Sequence, residues 1–300
     1  VLNAQNNINY IQKSVDLDAQ QAGRIRKRDP NAPPVINPNG TTNYLNRVLT
    51  ENKVETASAR YWEQLPQLEK ASRTFGVPKH YLMALWGMES SFGYYQGSYD
   101  VLSVLATLAF DGRREALFSK EFIAAMKMLQ RDHIQRHKMR GSWAGAMGQT
   151  QFMPSSYLRY AADGNGDGEK NIWTEHYDVF ASIANYLHTE GWNPNLPWGV
   201  EVTVNQPIDM ALSGTEEGKQ RSLSDWQKLG VTSKFLTSET QQKLTALSQT
   251  DLWLVRPDRE LGRAFLVSNN YRTLLHWNKS NYFAVSIGMF ADRIQQRIGN

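Results

Sequence analysis

The sequence contains no cysteine among its 300 residues. Disulfide bonds, zinc sites built on thiolates and cysteine nucleophiles are therefore excluded. The compartment stays open, because many periplasmic proteins also lack cysteine.

Long apolar runs are missing too. The two longest, 81–88 and 101–110, are well below the roughly 18 residues of a membrane helix, and we interpret them as core helices. No signal peptide is visible, which does not exclude export, because a mature or trimmed chain also lacks one. The net charge of +4 is mild, and composition does not separate nucleic acid from cell-wall glycopeptide as an anionic partner.

Ordinary contents of hydrophobic (41%) and charged (21%) residues indicate a folded protein rather than a disordered one. Composition and periodicity predict an α+β, predominantly α chain. The predicted segments are an extended, proline-containing arm or linker over 1–40, a helical region over 41–76, a helical core over 77–198 and 269–300, and an inserted β-containing domain over 199–268.

Local patterns place several elements. A helix is predicted over Lys79–Ser90, Asp100 is a candidate N-cap for a helix over Val101–Phe110, and a long amphipathic helix starts at Glu115. Three short apolar runs predict strands: Val200–Val204, which alternates with period two, Leu252–Val255 and Ala264–Val267.

One acidic residue falls on an apolar helix face. Leu82, Leu85, Trp86 and Glu89 are spaced i, i+3, i+4 and i+7, so they share one face. An apolar surrounding and the C-terminal end of a helix both disfavour an ionised carboxylate and raise its pKa. Such a carboxyl group can serve as a general acid. The alternative is a structural Glu that pairs with an Arg or turns to solvent.

Two segments resemble a known family. Glu89-Ser90-Ser91-Phe92-Gly93 resembles the E-S/T-x-F/W-G signature of lytic transglycosylases. The loop Gly141–Tyr157, GSWAGAMGQTQFMPSSY, resembles a longer stretch of the MltB-type family (glycoside hydrolase family 103). Shorter matches follow in the family's order over roughly residues 70–300: Asp111–Arg114, Ile183–Tyr186, Gly191-Trp192, Trp277-Asn278 and Tyr282.

The resemblance implies a lysozyme-like core with an N-terminal helical part and a small inserted β-containing domain. It implies cleavage of the MurNAc–GlcNAc bond of peptidoglycan. Glu89 would protonate the leaving oxygen and then act as base on the C6 hydroxyl, which closes a 1,6-anhydro ring without water. No second catalytic carboxylate stands out in the sequence, in agreement with that scheme.

By the same resemblance, further residues would line the substrate cleft. Ser142 and Gln151 would bond the sugar near the cleavage point, and Tyr186, Asn278 and Tyr282 would line the cleft, with loop capping and core packing as the alternatives. Trp277 stands where relatives often carry Tyr. Arg113 and Arg114 would meet the anionic peptide stem or, equally well, form surface salt bridges.

A separate loop, Asp163–Gly168, fits the first half of a calcium-binding EF-hand loop, with Asp163, Asn165 and Asp167 as ligands. The Glu169 carbonyl would follow, and Thr174 stands where a bidentate Glu is expected. The resemblance to the family implies a longer loop that a later Asp closes, a position that Asp178, or else Glu175, would take. The alternative is an Asx-rich turn ordered by its own hydrogen bonds.

The sequence thus predicts an exported, periplasmic lytic transglycosylase, soluble or lipid-anchored to the outer membrane, that binds glycan strands and no nucleic acid. Other cell-wall enzymes are candidate partners. No cofactor is expected for catalysis, and a structural Ca²⁺ is expected at the Asp163 loop. The alternatives are a hydrolytic muramidase on the same scaffold and a non-catalytic wall-binding or calcium-binding module.

Overall fold

A computed structural model describes residues 7–26, 37–132 and 134–299. The helices are α1 (Gln12–Arg26), α2 (Gly40–Val48), α3 (Glu51–Glu63), α4 (Leu65–Phe75), α5 (Lys79–Ser90), α6 (Val101–Asp111), α7 (Glu115–Arg131), α8 (Pro154–Tyr160), α9 (His176–Thr189), α10 (Leu223–Lys228), α11 (Ser238–Leu247), α12 (Asn269–Trp277) and α13 (Asn281–Ile298). The strands are β1 (Tyr99–Asp100), β2 (Arg140–Gly141), β3 (Gly199–Val204), β4 (Val231–Ser233), β5 (Trp253–Val255) and β6 (Ala264–Val267). The predicted α+β, predominantly α class is confirmed.

The N-terminal segment differs from the expected extended arm, because Gln12–Arg26 is a helix. The segment before α1 is tied to α6: Asn9 N donates to Ser103 Oγ (3.0 Å) and Ile11 N to Thr107 Oγ1 (3.0 Å). The prolines that suggested an arm all follow α1 in sequence. Residues 1–6 and 27–36 of the predicted arm lie outside the described residues.

The contacts divide the chain into two compact units. The first comprises Gln64–Thr74, Leu85–Tyr186 and the described part of Val1–Pro33. The second comprises the described part of Pro34–Glu63 together with Phe75–Ala84 and Leu187–Asn300. The segment boundaries expected from the sequence stay a prediction.

The first unit is built around α6, which is buried along most of its length. Asp100 caps it as predicted, accepting from Ser103 N at 3.1 Å. The next helix, α7, ends at Arg131. Phe118 and Glu121 of this helix are buried in the core, whereas Leu117 is exposed. Buried Glu121 accepts hydrogen bonds from Ser155 N (2.8 Å) and Ser155 Oγ (2.6 Å), so it caps α8 from a neighbouring helix.

The second unit contains an antiparallel sheet in the order β4-β3-β6-β5. All three predicted strands form, with Val200 opposite Leu266 and Leu254 opposite Leu266 in the register. Strand β4 was missed, because three residues are too short for a periodic signal. One face of the sheet packs with α10 and α11 into a local core. Trp226 lies in that core, fully buried, and its indole N–H donates to Leu252 O at 2.8 Å.

Helix α5 is buried on every side from Tyr81 to Gly87, not along a single stripe. Leu82, Leu85 and Trp86 are buried as expected, and Glu89 is partly exposed near the end of the helix. Within the described residues, no helix is both long and apolar enough to span a membrane.

One ionic contact of the first unit yields a test of the helical N-terminus. The buried carboxylate of Asp18 in α1 pairs with the partly exposed guanidinium groups of Arg113 and Arg114. Asp18→Asn leaves both cations without their counter-charge, so we expect the free energy of unfolding to fall by about 1–3 kcal/mol. Denaturant unfolding measures the loss.

The matched control is Asp16→Asn, because Asp16 lies on the same helix with an exposed side chain. This variant is expected to unfold like the parent. Equal stability of the Asp18 variant and the parent would show that α1 does not depend on this pairing.

Candidate functional site

Glu89 lies where α5 leaves the core of the first unit. Three consecutive residues after the helix adopt left-handed backbone conformations: Ser91 (φ 50°), Phe92 (φ 61°) and Gly93 (φ 83°). The turn is held by Phe92 N donating to Trp86 O (3.3 Å) and Gly93 N donating to Ser90 Oγ (2.9 Å). Non-glycine residues in this region are strained by about 1–3 kcal/mol each, so the surrounding contacts fix a sharp turn directly beside Glu89.

The buried side chain of Gln149 joins this turn to the Gly141–Tyr157 loop. Its Oε1 accepts from Trp86 Nε1 (2.7 Å) and its Nε2 donates to Trp173 O (2.9 Å). A side chain at Gly93 would overlap the Gln149 amide. The E-S-S-F-G segment and the long loop are therefore one packed structure, which explains why glycine is required at position 93.

Trp86 lies at the centre of an aromatic cluster beneath the turn. Its ring meets Phe92, His176 and Phe180 edge-on, with centroid distances of 5.5, 5.5 and 5.1 Å. Trp86 lies three residues before Glu89, so these contacts fix the helical turn that carries the carboxylate.

Ser142 organises the start of the loop. Its Oγ accepts from Ala144 N (3.2 Å) and Ala146 N (3.1 Å), and its N–H donates to Ala146 O at 2.7 Å. The loop-capping alternative is therefore realised. A hydroxyl has one donor besides its two lone pairs, so the Ser142 proton remains the group that can reach a ligand oxygen.

Gln151 is another left-handed residue (φ 52°). Its Nε2 donates to Gln96 O (3.1 Å) and Gly148 O (2.9 Å). Both amide hydrogens thus have backbone acceptors, which leaves the side-chain carbonyl oxygen as the group able to accept from a sugar hydroxyl.

Tyr186 belongs to the same unit and is buried. Its ring packs on Tyr160 (centroids 4.1 Å apart) and Phe152 (5.9 Å). The core-packing alternative holds for this ring.

Arg113 and Arg114 lie between α6 and α7. Arg113 Nε donates to Asp18 Oδ2 at 2.5 Å, and Arg114 pairs with Asp18 Oδ1. These contacts favour the salt-bridge interpretation of the two arginines.

Three expected cleft residues belong to the second unit. Trp277 ends α12, and Asn278 is exposed just beyond it. Tyr282 donates its hydroxyl to buried Asp258 Oδ1 (2.6 Å) and stacks on Tyr44, with centroids 5.6 Å apart. Asp258 also accepts from Thr41 N (2.7 Å), so the Tyr282 hydroxyl forms part of a buried polar cluster at the start of α2.

The Asp163 loop is closed by its own hydrogen bonds. Asp163 accepts from Gly166 N (2.6 Å) and Gly168 N (2.8 Å), and the donors at Gly168 and Gly166 hold the pKa of this exposed carboxyl below its usual value. Asp167 accepts from Glu169 N (2.8 Å) and from Asn165 Nδ2 (2.8 Å).

Asp178 braces the two ends of that loop from the first turn of α9. Its carboxylate accepts from Gly164 N and Asn171 N, both at 2.7 Å. The side chain is fully buried, and burial raises its pKa. In the described part of the chain, no three His, Cys, Asp or Glu side chains come together around a metal position.

Comparison with known proteins identifies the family. The profile of the "Transglycosylase SLT domain" matches residues 4–292. The chain belongs to this family. It is 30% identical over 305 residues to "Membrane-bound lytic murein transglycosylase B" of Escherichia coli (strain K12), an alignment covering 95% of this chain and 80% of that protein.

Solved structures of lytic transglycosylases are similar to this chain over most of its length. SltB3 from Pseudomonas aeruginosa in complex with NAG-NAM-pentapeptide superposes on the transglycosylase with a TM-score of 0.82 and 34% identity, covering 96% of this chain and 72% of that one. The same protein with NAG-anhNAM-pentapeptide gives 0.81 and 33%, covering 97% and 72%. Slt35 from Escherichia coli in complex with calcium, 24% identical, shares the fold with a TM-score of 0.78 and coverages of 99% and 87%.

These comparisons confirm the lysozyme-like fold and the enzyme class expected from the sequence: the chain is a lytic transglycosylase. They do not test the site residues of this transglycosylase, which stay predictions. Gln149 was not predicted, although it lies inside the matched loop, because its partners Trp86 and Trp173 are 63 and 24 residues away in sequence.

The clamp formed by Gln149 can be tested directly. Gln149→Met keeps the volume of the side chain and removes both hydrogen bonds, at a cost of about 1–3 kcal/mol for each buried group left unsatisfied. We expect a lower melting temperature and weaker lytic activity, since the turn beside Glu89 loses its tie to the loop. Thermal unfolding and an activity assay measure the two effects.

Gln241→Met is the control, because Gln241 is exposed on α11. It should behave like the parent protein. A Gln149 variant as stable and active as the Gln241 variant would rule out the clamp.

Proposed function

We propose that this transglycosylase cleaves the β-1,4 bond between MurNAc and GlcNAc in peptidoglycan glycan strands, without water, and leaves 1,6-anhydroMurNAc ends. The murein transglycosylase B of Escherichia coli supports the substrate class by its name. SltB3, at 33–34% identity, was solved with NAG-NAM-pentapeptide and with NAG-anhNAM-pentapeptide, which supports both the substrate and the anhydro product.

The observation that carries the proposal is the lack of a second carboxyl group in the two segments that form the turn after Glu89 and the matched loop. Glu89 stands partly exposed at the end of a buried helix, and neither Ser90–Tyr99 nor Gly141–Tyr157 contains an Asp or Glu. Most glycosidases place two carboxyl groups about 5–9.5 Å apart. These two segments, which Gln149 joins, contribute no such second group, which supports a reaction run by a single carboxyl group.

In this mechanism Glu89 starts protonated. Its proton passes to the glycosidic oxygen as the C1–O bond of MurNAc breaks, and the substrate's own N-acetyl group stabilises the positive charge at C1. The Glu89 carboxylate then removes the proton of the C6 hydroxyl of the same sugar, and O6 bonds to C1. The proton returns to Glu89, so the cycle closes without a water molecule.

Each binding residue is proposed for the hydrogen-bond donor or acceptor that its contacts within the protein leave available. The Ser142 proton and the Gln151 carbonyl oxygen would bond the sugar beside Glu89, with Tyr186 as an apolar wall. Trp277, Asn278 and Tyr282 stay proposed as cleft residues of the second unit. For Arg113 and Arg114 the salt bridge to Asp18 is the better-supported role.

Glu89→Gln tests the proposal. The amide cannot donate or accept the transferred proton, so turnover should fall by about 10²–10⁴-fold. Turbidity of purified peptidoglycan measures lysis, and mass spectrometry of the parent's products should show anhydro ends.

The matched control is Glu115→Gln, which changes an exposed carboxylate of the same unit and should leave lysis unchanged. The Glu89 variant should still sediment with peptidoglycan. Full lysis by this variant would exclude Glu89 as the acid, and reducing MurNAc ends would instead identify a hydrolytic muramidase. Binding by the parent protein without any lysis would identify a non-catalytic wall-binding module.

We also propose a structural calcium ion at the Asp163 loop. Asp163, Asn165, Asp167 and the Glu169 carbonyl supply the oxygen ligands that a hard cation requires, and Gly168 (φ 90°) makes the turn between them. Both oxygens of Asp178 accept backbone hydrogen bonds, but a carboxylate has about four acceptor sites, so Asp178 stays the proposed closing ligand. The remaining ligands would be water.

Calcium should raise the melting temperature relative to chelator, because an ion that binds the folded state stabilises it by about 2.7 kcal/mol at a hundred times its dissociation constant. Asp167→Asn should reduce the shift, and magnesium at equal concentration is the control. Identical melting curves with calcium and chelator would leave the loop as a self-ordered turn.

The proposed site of action is the periplasm, where peptidoglycan lies, with the chain soluble or anchored by lipid to the outer membrane. Contact with other cell-wall enzymes stays a prediction.

A further inference from the structure

Two tyrosines follow the Glu89 turn and stand out from the surface of the first unit. Tyr94 is 79% exposed and Tyr95 is 68% exposed. Their rings meet edge-to-face, with centroids 4.7 Å apart and an interplanar angle of 84°. Two adjoining aromatic rings left this exposed are candidates for a binding surface.

The backbone beneath the pair is fixed to the candidate site. Tyr95 N donates to Ser90 O (2.7 Å) and Tyr94 N to Ser91 O (3.3 Å). The peptide groups of Ser90 and Ser91 directly follow Glu89, so the tyrosine backbone is tied to the residues next to the acid.

A second tie holds the other end of the segment. Gln96 Nε2 donates to Gly93 O (3.0 Å), and Gln96 O accepts from Gln151 Nε2 (3.1 Å). A side chain at Gly97 would overlap the backbone of Gly141. Tyr94 and Tyr95 therefore lie on a segment that hydrogen bonds hold at both ends, next to Glu89 in sequence and bonded to Gln151.

The chemistry of the segment selects the kind of ligand. Residues 90–99, SSFGYYQGSY, contain no charged side chain, so this segment offers no counter-charge to an ionic ligand. Tyrosine rings offer a rigid apolar face and a polar edge at little cost in conformational entropy. A pyranose ring has the matching surface, with an apolar face of C–H groups and a rim of hydroxyls.

We propose that Tyr94 and Tyr95 form a stacking platform for a sugar ring of the glycan strand, next to the ring attacked at Glu89. The platform rests on the proposed function, and it adds a glycan-binding determinant beyond the residues predicted from the sequence. It contributes to strand binding and not to the chemical step, because neither phenol is needed for proton transfer.

The test compares Tyr94→Ala, Tyr95→Ala and the double variant with the parent, using purified glycan strands of defined length. Loss of stacking should raise KM for long strands by about 3- to 10-fold per tyrosine, the range expected for one aromatic contact, while kcat stays within about twofold. The shortest cleavable fragments, which do not reach the platform, should show the smaller change. Tyr94→Phe and Tyr95→Phe keep the ring and should retain the parent's KM.

Phe110→Ala is the matched control, because Phe110 is 85% exposed at the end of α6 in the same unit. Its KM should equal the parent's. The tyrosine variants should melt at the parent's temperature, because both side chains are exposed. A higher KM at an unchanged melting temperature then reports loss of binding and not loss of fold.

Failure of the platform and failure of the proposed function are distinguishable. An unchanged KM in the double variant, together with an inactive Glu89→Gln variant, overturns the platform alone. A lytically active Glu89→Gln variant overturns the proposed function, whatever the tyrosine variants do. Tyrosine variants that abolish self-association of the protein while KM stays constant would assign the pair to contact between copies and overturn the platform.

Discussion

The candidate site depends on one buried amide. Gln149 accepts from the indole of Trp86 and donates to the carbonyl of Trp173, and so ties the helix that carries Glu89 to the loop that carries Ser142 and Gln151. A buried amide without partners costs more than its hydrogen bonds gain. The side chain therefore favours one relative position of helix and loop over all others. The left-handed turn at Ser91 and Phe92 is tolerated because this clamp and the packing around Trp86 hold it in place.

Further contacts orient the residues that are proposed to touch the sugar. The groups proposed to touch the sugar already use part of their hydrogen-bonding capacity on the backbone, Ser142 with its lone pairs and Gln151 with its amide hydrogens. What remains to each is one kind of group, a donor at Ser142 and an acceptor at Gln151. In the proposed mechanism, a single carboxyl group beside such oriented partners acts as acid and then as base, because the substrate supplies both the nucleophile and the stabilising amide.

Several contacts were not predicted from the sequence. Gln12–Arg26 is helical and not extended, and its Asp18 pairs with two arginines about 95 residues further along the chain, a partner that no local pattern encodes. Glu121, for which nothing was predicted, is buried and caps α8 through Ser155. Asp178, which stays a predicted calcium ligand, also accepts hydrogen bonds from the backbone at both ends of its loop. In each case a charged side chain was placed by a distant backbone or side-chain group.

The sequence by itself determined the family, the candidate acid and the elements with a strong local signal. The motif at Glu89–Gly93 and the Gly141–Tyr157 loop identified the family, and apolar spacing and capping located α5, α6 and β6, because these signals repeat within a few residues. Only the tertiary structure decided which side chain clamps the site and which aromatics stay exposed beside it. The Gln149–Trp86 bond joins residues 63 positions apart, and the exposure of Tyr94 and Tyr95 depends on everything that packs around their segment. Such contacts have no period along the chain, so the fold alone sets them.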